Sequence, residues 1–334
     1  MSKVLVIGGG GYIGSHTCLD LHQKGYTPVV FDNFSNGHRE FVKWGPLEEG
    51  DIRDRARLDE VFRKHQPAAI VHFAALIEVG QSVSDPLAFF RNNVSGSITL
   101  FDAAHEAGCR NIVFSSTCAT YGVPERMPIP ESHAQFPINP YGRSKLIVEG
   151  VLQDLCAHAG FSAVLLRYFN AAGAAPEEGI GEWHDPETHA IPLAIDAALG
   201  RREQFQIYGQ DYETRDGTCV RDFVHVLDLA DAHTRAVDYL LNGGSSTAIN
   251  LGTGDGTTVK ELLTAVKNVS GRDFRIDLAP RRAGDSPALI ADNRLAERVL
   301  GWRPSRDLQS IVASAWKWHA MRNDAPDRHL ARSP

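Results

Sequence analysis

Two side chains that could exchange a proton with a hydroxyl stand four residues apart near the middle of the chain. Tyr141 and Lys145 form a Tyr-x-x-x-Lys pattern directly after Pro140. Residues four apart lie on one face of a helix, and Pro140 is typical of a first helical turn. A nearby ammonium favours the phenolate and draws the phenol pKa from about 10 towards neutrality. The pattern predicts a tyrosine base for a sugar hydroxyl, although alone it also occurs on ordinary helix surfaces.

A hydroxyl partner for this base comes earlier in the chain, directly after a predicted strand. The segment is Ser115-Ser116-Thr117, and one of its hydroxyls could bridge the substrate oxygen and Tyr141. The alternative is a turn in which a Ser or Thr hydroxyl closes the strand. The order and placement of the two motifs favour the catalytic interpretation.

A glycine-rich turn joins the first predicted strand to the first predicted helix. Two registers fit, Gly9-x-Gly11-x-x-Gly14 and the wider Gly8-x-x-Gly11-x-x-Gly14. In both, glycine permits a tight turn and lets a pyrophosphate approach the backbone and the helix N-terminus. A glycine run can also mark any sharp turn. Its place between strand and helix predicts dinucleotide binding.

Asp32 ends the second predicted strand, about twenty residues after the glycines, where a carboxylate accepts the ribose hydroxyls of adenosine. It would repel a 2′-phosphate, and no Arg or Lys lies between Asp32 and Gly37, so NAD is favoured over NADP. The alternative is a solvated loop aspartate. Later strand ends carry further candidates for the cofactor: Asp51, Ile52, Phe73, Ala74 and Ala75.

The elements that must position these residues alternate between short apolar strands and helices. Strands are predicted at 4–7, 28–31, 69–73, 111–115 and 163–168, and helices at 15–24, 58–65, 93–107 and 144–159. Continuous apolar strands between helices indicate a parallel sheet covered on both faces. We therefore expect a Rossmann-type, doubly wound α/β domain over residues 1–170.

The second half has a different texture. Residues 174–189 are rich in Gly, Pro and acidic residues and are predicted to form a loop. Beyond them a strand at 248–251 and a helix at 259–269 predict a smaller α/β lobe over 171–334, with part of the chain possibly returning to the main sheet. We expect this lobe to bind the substrate.

Composition limits the class of protein. The 334 residues carry a net charge of −7, which argues against nucleic acid as a partner. The five cysteines are irregularly spaced and form no Cys/His cluster, so we expect no metal site and a reducing, cytoplasmic location. No run of about 20 apolar residues predicts a membrane span, and no leader peptide is expected.

The chain resembles the UDP-glucose 4-epimerases, a family of extended short-chain dehydrogenases, over nearly its whole length. It is most similar to bacterial members that supply UDP-galactose for exopolysaccharide. The motifs that carry the resemblance lie at 10–16, 31–33, 50–53, 72–75, 92–94, 115–122, 139–145, 166–170, 216–222 and 281–285. The resemblance implies an NAD-dependent isomerase and favours a homodimer packed through helices.

The resemblance also implies a role for each matching residue. Tyr141 would take the 4-hydroxyl proton, Thr117 would supply the bridging hydroxyl, and Lys145 would also hold the nicotinamide ribose. A 4-keto sugar would turn over and be reduced on its other face. NAD would be lined by Tyr12, Ile13, Asp32, Asn33, Asn36, Gly37, Asp51, Ile52, Phe73, Ala74, Asn92 and Phe169.

The second lobe is expected to hold UDP. Arg221 and Arg282 would meet the diphosphate, since a guanidinium fork suits paired oxygens. Asp285 would accept from the uridine ribose, and Asn170 and Tyr208 would also contact the nucleotide. For any single arginine here, a surface ion pair is the competing interpretation.

Three positions depart from the family pattern. Ile77 stands where some members have a cofactor-binding lysine. His189 replaces an asparagine on the substrate loop. Leu289 occupies the position that guards the sugar pocket, where tyrosine restricts the site to plain hexoses and small residues admit N-acetyl sugars.

Alternative functions stay open at this point. A UDP-xylose/UDP-arabinose 4-epimerase, alone or as a second activity, is the nearest, because one missing substituent costs only about 1–3 kcal/mol of discrimination. A nucleotide-sugar 4,6-dehydratase would need a carboxylate pair after the hydroxyl, whereas Thr117 is followed by Cys118 and Ala119. A non-catalytic NAD-binding protein would tend to lose the tyrosine or the lysine, and both are present.

Overall fold

A seven-stranded parallel sheet forms the centre of the molecule, in a computed structural model that describes residues 1–282 and 285–322. The strands of the described chain are β1 Lys3–Ile7, β2 Thr27–Asp32, β3 Leu47–Glu49, β4 Ala69–His72, β5 Asn111–Thr117, β6 Ser162–Tyr168, β7 Asn170–Ala172, β8 Ala174–Ala175, β9 Ile180–Gly181, β10 Phe205–Tyr208, β11 Val220–Arg221, β12 Phe223–His225, β13 Thr247–Leu251, β14 Thr257–Thr258, β15 Ile276–Ala279 and β16 Ala288–Leu289. The central sheet has the order β13-β6-β5-β4-β1-β2-β3.

Helices cover both faces of this sheet. They are α1 Tyr12–Gln23, α2 Arg55–His65, α3 Val79–Ser84, α4 Pro86–Phe89, α5 Gly96–Glu106, α6 Pro140–His158, α7 Ala190–Ala198, α8 Val226–Leu241, α9 Val259–Ser270, α10 Arg294–Leu300 and α11 Leu308–Met321. One apolar core joins the sheet to α1, α8 and α10, and a second joins its other face to α2, α5 and α6. The continuous apolar strands are therefore buried on both sides, and the predicted Rossmann-type fold is confirmed.

The second half contributes to two bodies of structure. Strand β13 joins the central sheet, where Thr247 pairs with Val164 and Leu251 pairs with Tyr168. The rest forms small sheets, β10 with β15 and β14 with β11 and β16, around a third core that includes α7, α9 and α11. Strand β7 directly follows β6 of the central sheet and pairs in parallel with β12. This pair connects the carboxyl end of the central sheet to the smaller sheets.

Element boundaries differ from the sequence prediction in several places, and helices α2 and α6 begin at Arg55 and Pro140 rather than at 58 and 144. Helix α1 begins at Tyr12, directly from the glycine turn, rather than at residue 15. The helix predicted at 93–107 is divided into a π-helical turn, Phe90–Ser95, and α5. The loop predicted at 174–189 contains β8, β9 and a short 3-10 helix, Pro176–Glu178, because Ala174 and Ala175 pack under Trp318 of α11.

Among the described helices, none has both the length and the apolar character needed to cross a bilayer.

Candidate active site

A cavity of about 430 Å³ opens at the carboxyl ends of the central strands. This is where open α/β sheets bind their ligands. The predicted site residues that line it are Gly8, Gly11, Tyr12, Ile13, Gly14, Asp32, Asn33, Asn36, Gly37, Ile52, Phe73, Ala74, Ala75, Asn92, Thr117, Tyr141, Phe169, Asn170 and His189. We refer to it as the first cavity.

The glycine turn fits the wider of the two predicted registers. Gly8, Gly11 and Gly14 line the first cavity, whereas Gly9 packs against Val30 of β2. Gly8 has a positive φ of 82°, and a Cβ there would lie 2.7 Å from the backbone nitrogen of Ala74. A Cβ on Gly14 would lie 2.2 Å from the carbonyl oxygen of Gly8. The turn is therefore so tight that it brings bare backbone, and the unpaired N–H groups that begin α1, to the cavity wall.

Asp32 is built into this turn. Its Oδ2 accepts from the backbone N–H of Gly10 at 2.8 Å, and its Oδ1 accepts from that of Phe34 at 2.8 Å. Burial raises the pKa of Asp32, and these backbone hydrogen bonds oppose the rise. The carboxylate thus fixes the glycine turn to the end of β2 while it faces the cavity.

Two residues predicted to bind the cofactor lie behind the wall. Asp51 is held by Arg53 through contacts of 2.7 Å to both carboxylate oxygens, and it also accepts from Asn33 at 3.0 Å. The hydrogen bonds from Arg53 lower the pKa of Asp51 to about 2. Lys145 is buried beneath the floor, where its Nζ donates to the carbonyl oxygen of Ser115 at 2.8 Å. Neither lines the first cavity, so their contacts with a cofactor stay predictions.

The predicted catalytic residues converge where β5 ends and α6 begins. The side chain of Asn139 accepts from the N–H of Gly142 at 2.8 Å and caps α6, so Tyr141 lies in the first turn. Thr117 ends β5, and it and Tyr141 both line the first cavity. The Oγ1 of Thr117 also accepts from the N–H of Ala119 at 3.1 Å. The turn-closing role and the catalytic role predicted for this hydroxyl are therefore compatible.

Burial has the largest influence on the pKa values of both Tyr141 and Lys145. Burial raises the pKa of the phenol above its ordinary value, and a hydrogen bond with Thr117 opposes the rise. Burial also lowers the pKa of Lys145 to about 7, against the attraction of Glu149. The Lys145 ammonium donates to the carbonyl oxygen of Ser115, and its effect on the pKa of Tyr141 stays a prediction.

Sequence reasoning missed the buried ion pair that holds this corner together. Arg167 on β6 contacts Glu149 on α6 at 2.6 Å, and both side chains are almost completely buried. Glu149 also accepts from the hydroxyl of Ser116, the neighbour of Thr117. Glu149 lies four residues after Lys145, so the same face of α6 carries the predicted catalytic pair and its anchor. The sequence signal that could have revealed this pair is that Glu149 and Arg167 are charged residues within otherwise apolar segments.

A second missed residue is Asn93, in the π-helical turn. Its side-chain oxygen accepts from the N–H of Leu76 at 2.8 Å, and its amide donates to the carbonyl of Leu76 and to the hydroxyl of Ser144 at 3.0 Å each. It joins the loop after β4 to α6 and leaves Asn92 on the cavity wall. Such π-helical turns are frequent at functional sites.

A second cavity, of about 270 Å³, adjoins the first. Its lining includes the predicted substrate residues Asn170, His189, Tyr208, Arg221, Arg282 and Asp285. Asn170, Ala171, Glu182 and His189 line both cavities. A ligand that extends from the second cavity can therefore bring its far end to Thr117 and Tyr141.

The cationic groups of the second cavity are held by neighbours. Arg221 donates from Nη2 to Oδ1 of Asp285 at 3.1 Å and from Nη1 to the carbonyl of Ser286 at 3.0 Å. The guanidinium of Arg282 stacks on the ring of Tyr208 at 3.8 Å from its centroid. The expected ion pair of Arg221 does form, yet it faces a cavity rather than open surface, which favours a ligand-binding role.

Leu289 and Ile77 lie where the departures from the family pattern predict an effect. Leu289 pairs with Arg221 across β16 and β11 and packs in an apolar cluster with Cys118 and Phe169. This places it beside the strand that carries Arg221 and against Cys118 and Phe169, but Leu289 is not among the residues that line either cavity, so its contact with the sugar stays a prediction. Ile77 lines the first cavity, so an aliphatic side chain occupies the position of the lysine found in some members.

A cluster of two glutamates and two histidines at the wall of the first cavity was not predicted from the sequence. Glu182, His184, Glu187 and His189 converge in the loop between β9 and α7. Although burial lowers the pKa of His189, hydrogen bonds from its ring to Glu182 and Glu187 outweigh that effect and raise it to about 10. Only His189 was selected from the sequence, because the loop has no periodicity that would place the other three beside it.

Comparison with known proteins identifies the family. Residues 4–252 match the NAD dependent epimerase/dehydratase family, about three quarters of the chain. The chain belongs to this family. The predicted dependence on NAD is therefore confirmed, and the glycine turn, the bare backbone at Gly8 and the carboxylate of Asp32 are the features that fit this cofactor.

Similar proteins agree with this assignment. The chain is 68% identical over 320 residues to a UDP-glucose 4-epimerase of Rhizobium leguminosarum bv. trifolii, which covers 96% of this chain and 98% of that protein. It is similar in structure to a UDP-glucose 4-epimerase from Brucella ovis in complex with NAD, with a TM-score of 0.93, 51% identity and coverage of 95% and 98%. A UDP-glucose 4-epimerase from Stenotrophomonas maltophila, solved with NAD and formylated UDP-arabinopyranose, gives a TM-score of 0.95 at 40% identity, with coverage of 97% and 100%.

Proposed function

We propose that the protein is a UDP-glucose 4-epimerase that interconverts UDP-glucose and UDP-galactose with resident NAD. The observation that carries the proposal is the junction of the two cavities. The arginine-lined cavity shares Asn170, Ala171, Glu182 and His189 with the dinucleotide cavity, which Thr117 and Tyr141 also line, so the sugar of a nucleotide sugar can extend from one cavity towards a phenol and a hydroxyl in the other. The similarity to UDP-glucose 4-epimerases over nearly the full chain supports the same function.

The chain's own residues would bind and orient the substrate and move one proton. Arg221 and Arg282 hold the diphosphate, and Asp285, Tyr208 and Asn170 contact the nucleotide. Tyr141 takes the proton of the 4-hydroxyl through Thr117 and returns it after the sugar has turned over. When bound, NAD supplies a reversible two-electron acceptor for C4 of the sugar.

A second activity on UDP-pentoses is the alternative that a specific observation favours. A similar UDP-glucose 4-epimerase has been solved with a UDP-arabinopyranose derivative. In this chain Cys118 and Phe169 line the first cavity, Leu289 packs against them, and none of the three side chains offers a hydroxyl, amide or charged group that must pair with a hydroxymethyl at C5. A pentose would therefore lose little binding energy.

The test is conversion of UDP-glucose and UDP-xylose, side by side and with no NAD added, followed by separation of the nucleotide sugars. UDP-galactose as the main product would support the hexose epimerase with resident cofactor. UDP-arabinose at a comparable rate would make the enzyme dual. Absence of both products after NAD is supplied would overturn the proposal, and a 4-keto-6-deoxy product would identify a dehydratase instead.

We also propose a homodimer formed through α3 to α6. Val83, Leu87, Ile98 and Ile147 on these helices are exposed, with exposed fractions of 65%, 60%, 46% and 40%. A second copy of the chain would cover these apolar side chains. Light scattering of the wild type and of Leu87→Glu tests this: a wild-type monomer would contradict the proposal.

The five free thiols fit a reducing, cytoplasmic location.

A further inference from the structure

Four side chains with atoms suited to metal coordination meet in the wall between the two cavities. They are Glu182, His184, Glu187 and His189, and one ligand atom from each lies within 4.8 Å of all the others. The set combines two imidazoles with two carboxylates. Imidazole favours zinc and other first-row transition metals, whereas an all-oxygen set would favour magnesium or calcium. No step of the proposed epimerisation requires this cluster.

The spacing of the ligand atoms matches a small tetrahedral ion. Zinc bonds of 2.0–2.1 Å place neighbouring ligand atoms about 3.3 Å apart. Nδ1 of His189 lies 3.0 Å from Oε1 of Glu182 and 2.9 Å from Oε1 of Glu187. Nδ1 of His184 lies 3.6 Å from Oε1 of Glu182 and 3.6 Å from Oε2 of Glu187. These four distances lie on both sides of the expected value, and the two to Glu187 reach different carboxylate oxygens, so a rotation of that carboxylate with small movements of the other side chains would bring one atom of each residue to a tetrahedral vertex.

The cluster also contains an unsatisfied polar atom. Nδ1 of His184 is buried and has no hydrogen-bond partner within the part of the chain that the structure describes. Its distances of 3.6 Å to the two carboxylates are longer than a hydrogen bond. Leaving such a buried nitrogen unpaired is destabilising. An ion at the centre of the cluster would satisfy it.

Charge and shielding are suited to a divalent cation. Two carboxylates balance the charge of the ion when both imidazoles are neutral. The side chain of Glu182 is 5% exposed and those of His184 and Glu187 are 14% exposed, whereas that of His189 is 42% exposed, so three of the four ligands are shielded from water. The other ring that faces the cluster is that of Tyr12, edge-on to His184 at 6.3 Å between centroids, and its hydroxyl is engaged with the carbonyl of Gly173 at 2.6 Å.

We propose that Glu182, His184, Glu187 and His189 bind one zinc-class divalent ion in a closed, four-ligand site. With all four positions filled by the protein, the ion is structural. It would fix the loop that precedes α7 and hold Glu182 and His189 in the shared wall of the two cavities.

The experiment is a zinc titration of the NAD-bound enzyme by calorimetry after dialysis against a chelator, with bound zinc measured by mass spectrometry. The wild type should bind one equivalent. His184→Asn and Glu187→Gln should each weaken binding by roughly 100-fold or more. The matched controls His158→Asn and Glu178→Gln, at exposed positions outside the cluster, should bind as the wild type does.

A second readout keeps the test independent of turnover. Zinc should raise the melting temperature of the wild type and of both controls, because a ligand that binds only the folded state stabilises it. It should leave Glu187→Gln, a nearly isosteric change, unaffected. Equal zinc binding by wild type and Glu187→Gln, or no binding by the wild type, would overturn the proposal and leave a protonated His189 held by two carboxylates. Neither measurement uses a sugar nucleotide, so failure here is distinct from failure of the proposed function.

Discussion

The two walls of the active site are built in different ways. The cofactor wall consists of backbone and strand ends, and its defining contact joins the N–H of Gly10 to Asp32 at 2.8 Å within one β-α-β unit. The substrate wall consists of side chains that distant segments bring together, as Arg221 and Asp285 show at 3.1 Å across 64 positions of the chain. Thr117 and Tyr141 line the first cavity, which shares Asn170, Ala171, Glu182 and His189 with the second.

This difference predicts different consequences of substitution. In the cofactor wall Gly8 and Gly14 of the turn have no space for a Cβ. We therefore expect a single added methyl group, as in a Gly→Ala substitution, to disturb both folding and cofactor retention. In the substrate wall each contact is a side-chain pair, which can be changed while the backbone stays in place. The cofactor wall should therefore tolerate few changes, and the substrate wall should control which sugar nucleotides bind.

The largest effect is expected at Tyr141. Tyr141→Phe removes the group that accepts the 4-hydroxyl proton while it keeps the ring, so kcat should fall by about 10³-fold. Retained NAD and the affinity for UDP should both stay close to the wild type, because neither wall is altered. Activity near the wild-type level, measured by conversion of UDP-glucose, would remove Tyr141 from the mechanism.

The next largest effect is expected in the cofactor wall. In Gly14→Ala the new methyl group would meet the carbonyl oxygen of Gly8, so the start of α1 must shift. We expect a loss of about 1–3 kcal/mol of stability and a clear fall in the NAD that co-purifies with the enzyme, read from absorbance after denaturation. Gly150→Ala is the control, since a Cβ there has no neighbour within 4 Å. Full NAD content in Gly14→Ala would contradict the backbone account of this wall.

An effect of similar size, but confined to UDP binding, is expected in the substrate wall. Arg221→Gln should weaken UDP binding by about 1.5–3 kcal/mol, or roughly 10- to 150-fold, because it removes charged hydrogen bonds to the diphosphate. Retained NAD should not change. Arg294→Gln, at an exposed ion pair with Asp292, is the control. Equal UDP affinity for the two variants, measured by calorimetry, would place the diphosphate elsewhere.

The smallest effect is expected at the edge of the sugar pocket. Leu289→Ala removes side-chain volume next to Cys118 and Phe169, which leaves more space beside these two residues. The ratio of activity on UDP-N-acetylglucosamine to activity on UDP-glucose should rise by about tenfold, which corresponds to about 1.4 kcal/mol. Leu289→Tyr should lower the same ratio. If both variants change the ratio in the same direction, Leu289 does not set the size of the pocket.

The cofactor wall could be predicted from the sequence because its signals are local. The glycine spacing, Asp32 at the end of β2 and the apolar strands each follow from a few neighbouring residues. Tyr141 and Lys145 were predicted in the same way, from the period of one helix. Only the register of the glycines needed the structure, which places Gly8 rather than Gly9 on the cavity wall.

The substrate wall could be predicted only by resemblance, because its contacts are long-range. Nothing in the local pattern places Asp285 beside Arg221, or Arg167 beside Glu149 across the sheet and α6. The loop from Glu182 to His189 has no periodicity, so its convergence on one point was missed. The hydrogen bond from Lys145 to the carbonyl oxygen of Ser115 likewise joins α6 to β5, 30 positions earlier in the chain, and has no local signal in the sequence.

The most direct test of the account follows the hydrogen at C4. UDP-glucose labelled with deuterium at C4 is incubated with the enzyme in ordinary water without added NAD, and the product is examined by NMR. The account predicts UDP-galactose that keeps its deuterium at C4, because one cavity holds the sugar and the cofactor through both halves of the reaction while Tyr141 moves only the hydroxyl proton. Loss of the deuterium to water, or its appearance at C6, would contradict the proposed epimerase.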